Sequence, residues 1–298
     1  MSFIQLLPTL LLIALALVMF GLGLSLTPAD FRRLLDAPRA VLIALVLQVV
    51  VLPAACYFII VTAGLSPVFA VGLMLLAASP GGVSANLFSH LFGGNVAMNI
   101  SLTAINTILS IVTLPLIATW AIDHFAKTGQ VVPLQLGKVV EVVGVVLIPV
   151  ALGMVAAGWK PGWAARMEKP FKAFSALVLA GFTVIAIAKE WTALVESFAS
   201  VGLAVIAFNV VSLLMGYLCS RFAGLDKPMS TAISFEIGIH NSTLAIFIAL
   251  SVLDNFQLAL PAAIYSVSMY LTATAFGLWL VRGSGSGKTA ERAAPLRG

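Results

Sequence analysis

Nine runs of about 20 or more largely apolar residues follow one another along the 298-residue chain, at 5–26, 39–63, 67–92, 95–121, 137–158, 171–189, 198–220, 228–253 and 257–281. About 20 such residues carry a helix across the hydrocarbon core of a bilayer. Lipid offers no partner for open peptide groups, so runs of this length are expected to fold as spanning helices. Only 9% of the residues are charged, against about 25% in soluble domains. The expected fold class is therefore an all-α polytopic membrane protein with nine transmembrane helices. The connections are short, which makes residues 1–282 one transmembrane unit. Residues 283–298, "GSGSGKTAERAAPLRG", read as a disordered cytoplasmic tail. The first run lacks a basic n-region and is followed by no A-x-A site, so it reads as a retained span and not as a cleaved leader.

The basic residues orient the chain. Thirteen fall after the first, fifth, seventh and ninth runs (Arg32, Arg33, Arg39; Lys160, Arg166, Lys169, Lys172; Arg221, Lys227; Arg282, Lys288, Arg292, Arg297), and only Lys127, Lys138 and Lys189 fall on the other side. The positive-inside rule then puts the N-terminus outside and the C-terminus in the cytoplasm. The net charge of +5 is thereby a topology signal, and no nucleic-acid partner is needed to explain it. Trp120, Trp159, Trp163, Trp191 and Trp279 sit at run ends, as an interfacial belt requires. Cys56 and Cys219 lie in apolar runs and read as packing residues.

Two runs are interrupted. The third carries Pro80-Gly81-Gly82 at mid-membrane, followed by Ser84 and Asn86 as possible N-cap side chains. The eighth carries "FEIGIHNS", where Gly238 loosens the helix and Asn241 or Ser242 can cap a new one. The two are five helices apart and so run in opposite directions. Runs one to four and six to nine then form two inverted sets, with the interruptions at matching places. Broken helices so placed point to a transporter's binding site.

Glu236 is the one acid of eleven that lies deep in a run. A charge there costs roughly 2.5–3.5 kcal/mol, which makes it a functional candidate. Around it stand neutral oxygen donors: Gln48 in "VLQVVVLP", Asn86 after the first interruption, and Asn99 and Thr103, four apart on one helix face. Carboxylate, amide, hydroxyl and freed carbonyl oxygens suit a hard cation, and sodium is the natural one. Two helix N-termini opposed at the interruptions add an attraction for an anion.

At these residues the chain resembles the bile acid:sodium symporter family over essentially its whole length. The segments "FGLGLSLTPADF", "PGGVSANLFSHLFGGNVAMNISLTA" and "FEIGIHNSTLA" carry the likeness. The resemblance implies a panel domain (5–26, 137–158, 171–189) and a core domain (39–121, 198–281) whose two broken helices cross near the substrate. It implies a first sodium site of Asn86, Asn99, Thr103 and Glu236. A second would use Gln48, Glu236, the carbonyls of Ile237 and Ile239, and the side chain of His240. Three positions depart from the pattern: Ala85 and Asn99 stand where serines are usual, and His240 where a glutamine is usual. Imidazole is a poorer sodium ligand and titrates near neutrality, so one sodium ion in place of two, or proton coupling, stays open. The substrate is expected near Ser84, Asn241, Ser242 and Tyr270.

The leading expectation is a carrier in a bacterial inner membrane that imports a small organic anion with sodium by alternating access; it is not an enzyme. The alternatives are proton-coupled or efflux transport on the same fold, an intramembrane enzyme using Glu236 and His240, and a passive channel.

Overall fold

The computed structural model describes residues 3–125, 136–189 and 191–291. Lys127 and residues 292–298 of the expected tail lie outside the described residues. In chain order the helices are α1 (Phe3–Ser25), α2 (Pro28–Asp36), α3 (Pro38–Val46), a π turn (Leu47–Val51), α4 (Leu52–Ala63), α5 (Pro67–Ala78), α6 (Ser84–Leu91), α7 (Val96–Phe125), α8 (Leu136–Trp159), α9 (Pro161–Lys189), α10 (Trp191–Phe222), α11 (Lys227–Gly238), α12 (Ser242–Phe247), a second π turn (Ile248–Val252) and α13 (Phe256–Glu291). Among the described residues the sole β pairing is an isolated antiparallel bridge between Gly81 and His240.

Among the described residues, four helical stretches are long and apolar enough to cross a membrane: Pro38–Ala63, Val96–Phe125, Val201–Phe222 and Phe256–Arg282. A fifth candidate is the pair Leu15–Ser25 and Pro28–Asp36, bent by 65°. Pro28 has no amide hydrogen and cannot continue α1, while it suits the first position of a new helix. The new helix is held at its start by Asp30, whose Oδ2 accepts from both the amide and the hydroxyl of Thr27 at 2.7 Å. All five tryptophans are well exposed, Trp159 most of all at 79%, as side chains facing lipid or its interface would be. The protein is an integral membrane protein.

Three helices run well beyond their expected limits, among them α10, which begins at Trp191 and not at 198. α9 begins at Pro161 and passes through Pro170, so the stretch ahead of residue 171 is helical and not a loop. α13 continues into the first part of the expected tail, as far as Glu291.

Both expected interruptions are present. α5 stops at Ala78 because Pro80 drives the preceding residue out of the helical region; Ser79 is extended, with ψ 145°. α11 stops at Gly238, and Ile239 is extended at φ −120°, ψ 88°. Asn241 then caps α12 by accepting from the Leu244 amide at 3.1 Å. The first break differs from expectation in its cap. Val83 takes the N-cap position of α6, and neither Ser84 nor Asn86 caps it, because both already lie inside the helix.

The broken helices sit at the centre of the molecule. Every residue of α5 from Phe69 to Ala78 is buried, as is every residue of α11 from Ser230 to Gly238. α7, α10 and α13 pack around them, whereas α1 packs chiefly on α8 and α9.

Candidate functional site

Where the breaks meet, the freed peptide groups pair with each other. The Gly82 amide donates to Ile239 O at 2.6 Å, and the Asn241 amide donates to Pro80 O at 2.8 Å. In an unbroken helix Asn241 would have served Ile237 O, four residues back; it serves the other broken helix instead. These two bonds are the Gly81–His240 bridge, and they satisfy groups that would otherwise be buried unpaired. The bridge leaves no room for a side chain at Gly81, because a Cβ there would fall on the Glu236 carboxylate.

Glu236 is fully buried, and α7 approaches its carboxylate from one side. Thr103 Oγ1 donates to its Oε2 at 2.6 Å and Asn106 Nδ2 to its Oε1 at 3.0 Å. Thr103 and Asn106 lie about one turn apart, so a single helix face delivers both donors. Asn99, a turn earlier, gives its amide to Ala232 O at 2.7 Å on α11.

A second cluster forms on Ser79 O, the carbonyl just before the first break. Gln48 Nε2 donates to it at 3.0 Å and His240 Nδ1 lies 3.1 Å from it. A carbonyl can only accept, so Nδ1 carries the hydrogen and Nε2 is left with a lone pair. The imidazole is stacked on Phe208, with ring centroids 5.4 Å apart, and meets Tyr265 edge-on at 5.6 Å. Gln48 reaches Ser79 from the π turn, where the Leu52 amide bonds five residues back to Leu47 O. Pro53, lacking an amide, sits next to that widened turn.

Around these clusters are buried polar atoms with no partner: Gln48 Oε1, Asn86 Oδ1, Asn99 Oδ1, Asn106 Oδ1, Ser242 Oγ and His240 Nε2. An unpaired buried polar group costs about 1–3 kcal/mol, and the Asn99 and Asn106 amide oxygens lie on the helix that bonds the Glu236 carboxylate. Such a donor set fits a hard cation. Among the described residues no three His, Cys, Asp or Glu side chains converge.

The structure joins Thr103 directly to Glu236, and Gln48 to His240 through Ser79 O. Asn86 and Asn99 present unpaired oxygens but make no direct bond to Glu236. The main chain of Ile239 is already engaged by Gly82. Of the expected substrate residues, Ser84 Oγ and Tyr270 OH lie 3.1 Å apart. Asn241 spends its oxygen on the α12 cap, and Ser242 Oγ is buried and unpaired.

Sequence reading missed Asn106, Asn209 and Tyr265. Asn106 had a signal, since 99, 103 and 106 repeat at helical spacing on one polar stripe. Asn209 and Tyr265 had none, being single polar residues in apolar runs that meet the second break only through the fold.

The sequence profile of the sodium bile acid symporter family matches residues 12–197, more than half of the chain. The chain belongs to the sodium bile acid symporter family. Three relatives illustrate its range. The protein named "Probable sodium/metabolite cotransporter BASS1, chloroplastic" of Arabidopsis thaliana is 28% identical over 276 residues, 91% of this chain and 67% of the relative. Its namesake from Oryza sativa subsp. japonica is 30% identical over 282 residues, 93% of this chain and 68% of the relative. "Uncharacterized sodium-dependent transporter YocS" of Bacillus subtilis is 28% identical over 256 residues, 86% of this chain and 78% of the relative. This symporter-family member is a transporter and not an enzyme.

Proposed function

We propose that the protein imports a small organic anion together with sodium by alternating access. Its buried carboxylate, Glu236, serves as the charge that the coupling ion neutralises. The observation that carries this reading is the position of that carboxylate. It is fully buried where two broken helices are bridged, and it is bonded by α7, the helix that also carries the unpaired amide oxygens of Asn99 and Asn106. Sodium dependence also stands in the printed names of the relatives. In this reading Asn86, Asn99, Thr103 and Glu236 hold one sodium ion as cargo. Gln48, Glu236, the carbonyls of Ile237 and Ile239, and His240 would make up the second site. The anion sits beside Ser84, Asn241, Ser242 and Tyr270, close to the N-termini of α6 and α12.

Nine crossings are supported by the helices that occupy each of the nine apolar runs among the described residues. The panel of α1, α8 and α9 is supported by their mutual packing, and the core by the packing of α7, α10 and α13 around the breaks. Rocking of core against panel then exposes the crossing to each side in turn. With the N-terminus outside, the basic loops face the cytoplasm of a bacterial inner membrane.

Thermal-shift measurements on the purified protein test the reading. Carboxylates, sulfates and sulfonates are screened in sodium chloride and in potassium chloride. At least one organic anion is expected to raise the melting temperature in sodium and not in potassium, because a ligand stabilises the state that binds it. Equal stabilisation in both salts by every active anion overturns sodium coupling.

One observation favours a single sodium ion over two. Where the family's second site would use a carboxamide oxygen, His240 is fully buried, stacked on Phe208 and hydrogen-bonded through Nδ1 to Ser79 O. Its remaining atom, Nε2, is a nitrogen. On this reading the sodium dependence of uptake has a Hill coefficient near one, and His240→Gln raises it toward two. An unchanged coefficient means that His240 does not restrict the number of ions.

A further inference from the structure

The second break leaves Gly238 O without its ordinary donor. In a continuous helix the Ser242 amide would serve it, but that amide donates to His240 O at 2.9 Å. Two side chains from outside the broken helix take its place. Asn209 Nδ2 from α10 donates to Gly238 O at 2.7 Å, and Tyr265 OH from α13 donates to it at 2.8 Å. The second hydrogen of the Asn209 amide goes to Tyr265 OH at 2.7 Å. Asn209 Oδ1 in turn accepts from the hydroxyl of Thr272 on α13. Asn209 and Tyr265 are both fully buried. Every polar atom of the Asn209 amide and of the Tyr265 hydroxyl is therefore used, and two of these bonds converge on one main-chain oxygen.

The first break has the same device in incomplete form. Gln48, on the helix preceding the break, gives its Nε2 to Ser79 O, as Asn209, on the helix preceding the other break, gives its Nδ2 to Gly238 O. Gln48 Oε1, however, has no partner, whereas Asn209 Oδ1 is closed off by Thr272. One amide of the pair is open to a guest and the other is locked.

We propose that Asn209, Tyr265 and Thr272 are positioning residues for the coupling ion, fixing the peptide at Gly238 so that the Glu236 carboxylate and the neighbouring carbonyls hold a cation-binding arrangement. Gly238 follows Glu236 by two residues, and its carbonyl is held on the α10 and α13 side of the chain. With that peptide fixed, Ile239 O turns to Gly82 and the bridge to the first break is made. A break without the clamp keeps a flexible glycine in the middle of the ion site. The inference rests on sodium binding as proposed above, and it adds residues that do not touch the ion.

The test uses the purified full-length protein and sodium chloride alone, with potassium chloride as the ionic-strength control. The melting temperature is followed against sodium concentration. Tyr265→Phe removes one hydroxyl without changing the ring, and Thr272→Val removes one donor at constant shape. Both are expected to raise the half-saturating sodium concentration about three- to tenfold, the value of one or two hydrogen bonds. Thr272→Ser, which keeps the hydroxyl, restores the wild-type value. If the variants melt earlier without sodium but keep the wild-type half-saturation, the clamp serves stability alone and the inference fails while the proposed function stands. If the wild type responds alike to sodium and potassium, the proposed function fails and takes the inference with it. Should Tyr265→Phe fail to fold, the Thr272 pair decides, since Thr272 is only half-buried and its truncation leaves the carbonyl with two donors.

Discussion

Glu236→Gln is expected to abolish sodium-driven uptake and the sodium-dependent thermal shift while leaving a folded protein. Glutamine keeps the shape of the side chain and an oxygen for Thr103, which donates to Glu236 Oε2 at 2.6 Å. What it loses is the charge. Removing one partner of a buried charge pair costs about 2–5 kcal/mol, a weakening of cation binding by about thirtyfold or more. The sodium-free melting temperature is expected to hold or rise, because a buried charge without its counter-ion is costly. Uptake measured in sodium and in potassium gradients, beside melting curves in both salts, checks this. Sodium-dependent uptake at the wild-type level in the variant would remove Glu236 from the ion site.

Gly81→Ala is expected to damage both the stability and the sodium response of the molecule with a single added methyl. The added Cβ has nowhere to go, since it meets the carboxylate and the main-chain oxygen of Glu236 together. Overpacking of this kind costs about 1–3 kcal/mol, and here it also pushes apart the two segments whose bridge closes the site. Both the melting temperature and the sodium response should fall. Gly158→Ala provides the control: nothing lies within 4 Å of a Cβ at that position in α8, and the substitution should leave both readings unchanged. A Gly81→Ala protein with wild-type sodium half-saturation would mean that the crossing tolerates displacement, contrary to the geometry described.

The places of the two breaks were legible from local chemistry. Pro80 removes an amide and excludes Ser79 from the helical region, and Gly238 followed by Asn241 supplies a weak helix end and a new cap. Those are properties of neighbouring residues, so a linear reading finds them. The depth of Glu236 was legible for the same reason, because a lone acid between apolar flanks has nowhere else to lie. The cap of α6 was not, since Ser84 and Asn86 both look able to cap and only the backbone settles on Val83. The π turn at Gln48 was hinted at by Pro53, yet which carbonyl Gln48 would reach depended on where α5 ended in space. Asn209 and Tyr265 were invisible: each is one polar residue in an apolar run, and their common target, Gly238 O, lies 29 residues from one and 27 from the other. Helix limits failed at α9, where Pro170 is accommodated inside a helix that begins at Pro161.

Ligands carried on separate helices can let go of an ion by drifting apart. Here residues 80–82 and 239–241 are stitched through their own peptides, with bonds of 2.6 Å and 2.8 Å running in both directions. Neither half can slide past the other by a turn without tearing a buried main-chain pair. If the proposed function holds, a guest at this seam would be carried like a passenger in a sealed compartment, and would depart when solvent reaches the compartment's wall, not when the compartment comes apart.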